Sequence, residues 1–390
     1  MAMKPQNFQS GYRRQFAHDF GDRFVLDEDH LHDGGPPPQH DAEACILCNV
    51  IERLEFLNSP LPPRILLGPA RGEGPVSLRE PASVYLRQLG VYLRPSDVML
   101  SHNAYVALWT AFQVGCPAGS VLGVPMLSFM PLFQQRLVAT NVRLVPLASD
   151  NYGIIPEALE NACRTQGLSV LSCSPECELP TTYRMGGKRR EEIAELARKY
   201  DLTVIEHNWL LPNGEEPDLR ALAMFIPERT IFLEHGSKML ACGNFCSFSY
   251  VPESLRADFV YMRNLICGPL PLLSRRLSYF WLKNGFVRRD FARKNAEIVK
   301  RNTLIKEVLD PLPVRMNKYA RFCWLPLQRG QSGNEIRKSL QRQGVLVSTA
   351  EKFLVGSVCK EDGILIGLGY EASFARFAKA LSIIKRELTR

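Results

Sequence analysis

From about Ser77 onward, short apolar runs alternate with stretches whose apolar residues recur every three to four positions. Leu78–Leu93 has that helical spacing, and Asp97–Leu100 is a short strand. Ala104–Val114 predicts a second helix, apolar on nearly every side and therefore buried. Ser120–Val124, Val142–Pro146 and Leu168–Cys173 are short β-rich strands, with amphipathic helices expected between them at Ile155–Thr165 and Gly187–Lys199. Leu202–Glu206 and Thr230–Glu234 extend the series as unbroken apolar runs. Such runs, separated by helices, belong in a parallel sheet covered on both faces. With right-handed crossovers they form an open, doubly wound, mostly parallel α/β sheet.

The pattern changes after a long charged amphipathic helix at Arg288–Leu309. Phe322–Leu327, a helix at Gly333–Gln343, Val345–Ser348, Ile364–Leu368 and a terminal helix at Glu371–Leu388 predict a smaller α+β domain. Before the regular region, residues 1–60 hold four histidines and a Gly-Gly-Pro-Pro-Pro run (Gly34 to Pro38), and read as an extended arm with one helix near Ala42–Phe56. The expected organisation is an arm at 1–60, a large domain at 61–287, and a linking helix with a small C-terminal domain at 288–390.

Composition narrows the function classes. The 390 residues are 46% hydrophobic and 23% charged, which is globular and excludes disorder, collagen and coiled coil as the main state. Lys+Arg 48 against Asp+Glu 40 leaves a net +8, too thinly spread to argue for nucleic acid. The N-terminus has no apolar run behind Arg13-Arg14, so no secretory or twin-arginine signal is read there, and the eleven cysteines are expected as thiols in the cytoplasm. The nearly uncharged stretch from Ser101 to Gln135 is cut by Pro117, Pro125 and Pro131 into pieces shorter than the ~18 residues a membrane span requires. It reads as a buried helix followed by a buried strand and loop, and no membrane association is expected.

The sharpest chemical candidate is Lys238, which follows Ser237 just after the buried run Thr230–Glu234. The carboxyl edge of a parallel sheet is where such folds bind ligands. A partly desolvated amine there loses its proton readily and forms an imine with an aldehyde. The alternative is an ordinary surface lysine after a strand.

Several segments, in order, resemble the fold type I pyridoxal-phosphate enzymes, and in particular the aminotransferase-like domain of the MocR-type regulators. They are GEGPVSLREPASVYLRQLGV (Gly72–Val91), SVLGVP (Ser120–Pro125), DNYGIIPEALE (Asp150–Glu160), SPECELPTTYRM (Ser174–Met185) with the Arg189–Ala197 helix behind it, FLEHGSKML (Phe232–Leu240) and GVLVSTAEKF (Gly344–Phe353). The resemblance covers roughly residues 61–390. It implies a pyridoxal 5'-phosphate cofactor with Lys238 as the Schiff-base lysine, a small amine or amino-acid-like substrate, and a site formed at a homodimer interface. A heterodimer with a related, active chain is the alternative.

The remaining cofactor positions implied by the resemblance are altered. Where the family places a carboxylate against the pyridine nitrogen and then a tyrosine, this chain has His207 and, two residues on, Trp209. A neutral imidazole can hydrogen-bond that nitrogen but holds its proton less firmly. The phosphate turn reads Ser101-His102-Asn103-Ala104-Tyr105, so the backbone amides from Asn103 and Ala104 onward are the expected anion contacts. The phosphate arginine, seven residues past the lysine, is Phe245, and the arginine that grips a substrate carboxylate is replaced among Ile364, Leu365 and Ile366. His235, three before the lysine, falls where the family touches phosphate. Protonated histidines at His102 and His235 would replace part of the lost charge. A three-histidine metal site is the competing idea, disfavoured because the resemblance separates the rings too far for one ion, and no metal is expected.

Other signals are weaker. Cys45–Cys48 with His40 is a lone Cys-x-x-Cys. Cys173 and Cys177 flank the Ser-Pro-Glu-Cys turn, where contact with a ligand competes with ordinary buried thiols. Lys188-Arg189-Arg190, Arg275-Arg276 and Arg288-Arg289 read as solvated faces, and the aromatics of Tyr279–Phe286 as core or dimer contact. Residues 1–60 lack a two-helix recognition pattern, so DNA binding is not expected. Two functions follow: a divergent aminotransferase-like enzyme, in which the missing arginine points to a substrate without an α-carboxylate, or an inactive subunit or ligand-binding partner.

Overall fold

A computed structural model describes residues 24–26, 76–131, 137, 140–208, 219–235, 246–318, 320–356, 361–369 and 373–389. The helix expected near Ala42–Phe56 and the Cys45–Cys48 pair lie outside the described residues.

The larger sheet has seven strands: β1 (Val98–Ser101), β2 (Val121–Pro125), β3 (Arg143–Leu147), β4 (Val170–Cys173), β5 (Thr203–Asn208), β6 (Thr230–Glu234) and β7 (Ser247–Tyr250). Their spatial order is β1-β7-β6-β5-β4-β2-β3. The pairs from β3 through β6 are parallel, and β7 runs antiparallel to both β6 and β1.

Helices cover both faces, as the unbroken apolar strands require. On one face lies α2 (Ala104–Gly115), packed with α5 (Glu253–Cys267). On the other, α1 (Val76–Arg87) and α6 (Leu272–Lys283) cover one end, and α3 (Pro156–Gln166) and α4 (Gly187–Lys199) the other. Helix α1 is shorter than its apolar spacing predicts. It gives way at Gly90, whose φ of +71° is left-handed and where a Cβ would meet the Leu219 carbonyl oxygen at 2.5 Å. Helices α5 and α6 and strand β7 were not read from the sequence.

The long α7 (Phe286–Leu309) leads to a second, four-stranded sheet of β8 (Arg315–Met316), β9 (Phe322–Pro326), β10 (Ser348–Thr349) and β11 (Gly363–Gly367), ordered β8-β9-β11-β10. Alternation along β9 and β11 divides their side chains. Cys323, Leu325, Ile364 and Ile366 pack with α7 and the terminal α8 (Phe374–Leu388). Phe322, Trp324 and Leu365 face the other way and join the core of the larger sheet. A two-residue strand, Phe24–Val25, pairs in parallel with Val345–Leu346 at the edge of this region.

One expectation on charge is corrected. Lys188 is solvated, but Arg190 is fully buried and donates to the carbonyls of Met185 (3.0 Å) and Arg220 (2.8 Å) and to Glu176 Oε1 (2.6 Å). Three separate acceptors satisfy the planar guanidinium, and that is what lets it sit inside. Among the described residues no helix is long and apolar enough to cross a membrane.

Candidate functional site

The period-two alternation of the strands sorts the larger sheet's residues by face. Val170, Ile205, Ile231, Leu233 and Met99 point into the core shared with α2. Ser172, His207, His235, Ser249, Ser247 and Ser101 follow them at even spacing and lie on that same face. The register agrees: His207 pairs with Leu233, Leu233 with Ser249, and Ser247 with Ser101. A buried polar row therefore crosses five adjacent strands at the carboxyl edge of the parallel part of the sheet, beneath the small-residue face of α2. Glu206 and Glu234, each one residue out of phase with the row, face the opposite layer.

His207 is completely buried. Its Nε2 lies 2.7 Å from Ser172 Oγ, and its ring meets Phe129 edge-on at 5.1 Å between centroids. Phe112 of α2 lies 6.3 Å away and the His235 ring 5.9 Å away. Phe129 was not singled out in the sequence, and only its place a few residues past the end of β2 could have drawn attention to it. The hydroxyls of Ser101 and Ser249 are buried with no hydrogen-bond partner among the described residues.

His102 and Asn103 form the turn from β1 into α2. Asn103 Oδ1 accepts from the Val106 amide at 3.0 Å, so this side chain caps the helix on which an anion was expected to sit, and Ala104 begins the helix buried. Burial lowers the pKa of His102, the nearby Arg263 guanidinium lowers it further, and a hydrogen bond to the Pro269 carbonyl opposes both. Arg263 itself, buried on α5, donates to the Leu100 carbonyl and to Asn264 Oδ1 (3.1 Å). A guanidinium from an element not read in the sequence thus stands at this end of the sheet. His207 and His235 are neighbours, while His102 belongs to the turn; among the described residues no three His, Cys, Asp or Glu side chains gather as a metal site.

Lys238, Ser237, Trp209 and Phe245 lie outside the described residues. The strand leading to Lys238 is described up to His235, whose amide donates to the Asn208 carbonyl (3.2 Å) and so extends the β5–β6 ladder by one residue.

On the far side of the polar row the second sheet closes in. Ser128 N donates to the Phe353 carbonyl and Val355 N to the Met126 carbonyl, both at 2.9 Å, around a Leu127–Leu354 bridge. Leu127, Phe129, Met130, Cys177, Leu179, Phe322, Trp324, Phe353 and Leu365 make one buried apolar cluster there. Of the three residues at the expected carboxylate-binding position, Leu365 is the one that faces this cluster. Cys173 and Cys177 are buried, and burial first, then neighbouring carboxylates, pushes both thiols well up, which makes them poor nucleophiles.

Behind the row, Glu206 accepts from the amides of Leu222 (3.0 Å) and Ala223 (2.9 Å). Burial pushes its carboxyl up to about 7 against the pull of Arg190 and those two amides.

No family model matches the chain. Over 311 residues, 79% of its length, it is 28% identical to an uncharacterized HTH-type transcriptional regulator, YdeF, of Bacillus subtilis (strain 168), spanning 66% of that protein. It is 24% identical over 295 residues to the mitochondrial kynurenine/alpha-aminoadipate aminotransferase of Mus musculus, covering 67% of each chain. The chain thus spans just under two thirds of the regulator's own length. An archaeal alanine:glyoxylate aminotransferase superposes with a TM-score of 0.79 at 18% identity, over 99% of this chain and 95% of that one. With seven strands in this order and helices on both faces, the chain has the type I fold of the pyridoxal-phosphate-dependent aminotransferases.

Proposed function

We propose that the chain is a divergent, pyridoxal-phosphate-dependent, aminotransferase-like enzyme that acts on an amino-group substrate, with Lys238 as the amine that captures the cofactor's aldehyde. The observation that carries this reading is the polar row of Ser101, Ser249, His235 and His207 beside Phe129. A buried hydroxyl left unpaired costs about 1–3 kcal/mol. Two such hydroxyls, on one face of the sheet with a pair of imidazoles and an aromatic wall, fit a flat polar ring completed by hydrogen bonds. When bound, the cofactor supplies an electron sink for chemistry at the carbon that carries the amino group.

On this reading His207 orients the ring through its nitrogen. His102, Asn103, Ala104 and His235 serve the phosphate end, where Arg263 offsets part of the charge lost at Phe245. Ser237 and Trp209 are the remaining cofactor-binding residues of this reading. With Leu365 rather than a guanidinium facing from the second sheet, the substrate lacks an α-carboxylate or is held by other groups. The same reading carries a cytoplasmic homodimer in a biosynthetic role.

A second reading, an inactive subunit or ligand-binding partner of an active related chain, is favoured by one observation. The cluster around Leu365, Leu179 and Phe353 is filled with hydrocarbon and strapped by the backbone bonds of Met126–Ser128 to Phe353–Val355. The experiment that separates the two is the visible spectrum on adding pyridoxal phosphate. The enzyme reading expects a band near about 400 nm that Lys238→Ala abolishes. No band at millimolar cofactor sinks it and leaves the second.

A further inference from the structure

We infer that Arg275 is a phosphate-binding residue: with Arg263 and His102 it forms a cationic corner at the carboxyl edge of the larger sheet that takes the dianion of a phosphomonoester. The inference deepens the enzyme reading and rests on it for the identity of the ester, which is the cofactor's own phosphate.

Three elements meet at that corner. Strands β1 and β7 pair as far as Ser101 and Ser247, so His102 and Cys246 are the next residues across from each other. From α6, the Ser278 hydroxyl accepts from the Cys246 amide at 2.9 Å, and Arg275 lies one helical turn earlier on the same side of the helix. From α5, Arg263 donates to the Leu100 carbonyl. The connector between these helices is tied in through the hydrogen bond between His102 and the Pro269 carbonyl. Both guanidiniums act on the Cys246 thiol, and Arg263 acts on His102 as well, which gathers the charges around one point. Cys246 directly follows Phe245, where the resemblance expects the phosphate arginine.

The charge gathered there is unbalanced. Arg275 is half-buried, and its Nε is shut off from solvent with no hydrogen-bond partner among the described residues. Burial lowers its pKa against the pull of Cys246, and Arg276 adds to the fall; no carboxylate of the described residues acts on it. Cys246 is no counter-ion, because burial pushes its thiol up to about 12. Elsewhere in the molecule the partly buried Arg184, Arg189, Arg256 and Arg293 each meet an Asp or Glu. His102 Nδ1 is likewise buried with no partner among the described residues. Buried donors left unmet are costly, and charged ones more so. An oxyanion satisfies both nitrogens, with His102 protonated beside it. Two guanidiniums and an imidazole match a dianion better than a monoanion, and the planar fork of an arginine fits phosphate oxygens.

The test uses the full chain and two probes. Inorganic phosphate, followed by titration calorimetry at low salt, should bind the wild type and bind Arg275→Gln more weakly by about tenfold or more. Arg275→Lys, which keeps the charge but not the fork, should fall between them. Arg87→Gln removes the same charge from an exposed position on α1 and should stay within about twofold of wild type. In the second arm, pyridoxal 5'-phosphate and pyridoxal are compared by quenching of tryptophan fluorescence. The preference for the phosphate ester should shrink in Arg275→Gln, since only the ester loses a contact. The inference is overturned if the wild type takes up no phosphate at millimolar concentration, if Arg275→Gln binds it like wild type, if Arg87→Gln weakens it equally, or if the preference for the ester is unchanged. If Arg275→Gln does not fold, the Lys variant decides. Inorganic phosphate needs no imine, so its loss in Arg275→Gln upholds Arg275 as a phosphate ligand even if the Lys238 absorbance test fails and the enzyme reading falls.

Discussion

Tyr85 donates its phenolic hydroxyl to Glu234 Oε1 at 2.6 Å, in the interior, across 149 residues of sequence. Glu234 ends β6, one residue before His235 and four before Lys238. The Ser247 hydroxyl also bonds the Glu234 carbonyl, at 2.5 Å. Helix α1 thereby anchors the strand end from which the candidate amine departs. Burial and the adjacent Glu234 carboxylate hold the Tyr85 hydroxyl protonated, with its pKa well above the ordinary value.

Tyr85→Phe removes that donor and leaves the Glu234 carboxylate short of a partner in a buried place. A loss of about 1–3 kcal/mol is expected, read as a lower urea midpoint at unchanged m-value. A variant within a few tenths of wild type would show that the bond contributes nothing net.

Glu206 predicts a pH dependence of stability. Its folded pKa of about 7 stands above the ordinary 4.5, so the native state binds the proton more tightly than the unfolded chain does. Stability therefore declines as pH rises from about 4.5 to about 7 and is flat in this contribution above that, a change of up to about 3 kcal/mol. Glu206→Gln should remove this decline. Parallel wild-type and variant curves of denaturation free energy against pH would contradict it.

Arg190→Met tests the buried ion pair with Glu176, which keeps a second partner in Arg184 at 3.0 Å. Losing three donors' worth of bonds and half of a buried pair should cost about 3–5 kcal/mol. Adding Glu176→Gln should recover part of that loss, giving a coupling of about 1 kcal/mol or more in a double-mutant cycle.

Leu365→Arg asks whether the apolar cluster is closed. A guanidinium placed among Phe322, Trp324 and Phe353 would be buried without a carboxylate partner, so destabilisation by more than about 3 kcal/mol is expected. A variant of wild-type melting temperature would mean that the cluster opens and that this position can serve a substrate.

The order of strands and helices from Val98 to Glu234, and again from Phe322 to Leu388, follows from the apolar pattern alone, because length and periodicity distinguish a buried strand from an amphipathic helix. Lys238 stands four residues past one of those strands in the sequence and lies outside the described residues. The pattern failed at β7, which reads Ser-Phe-Ser-Tyr and alternates rather than running apolar, and at α5 and α6, where Arg263 is buried among residues of mixed polarity.

What the chain's order of residues could not decide is which way each side chain of a fully buried strand points. In β4, β5 and β6 both faces are inside, so neither hydrophobicity nor alternation separates His207 from Glu206 or His235 from Glu234. That division comes only when the strands pair in register. Pairing then brings Ser172 to His207, Tyr85 to Glu234, and Phe129 over the imidazole, and it turns Leu365 rather than Ile364 toward the larger sheet. Tertiary packing likewise took Arg190 out of the solvent that its basic run suggested, since Glu176 and the Arg220 carbonyl join the nearby Met185 carbonyl around it only in the folded chain. Local composition sets the elements here, and contacts between residues far apart in sequence set the chemistry.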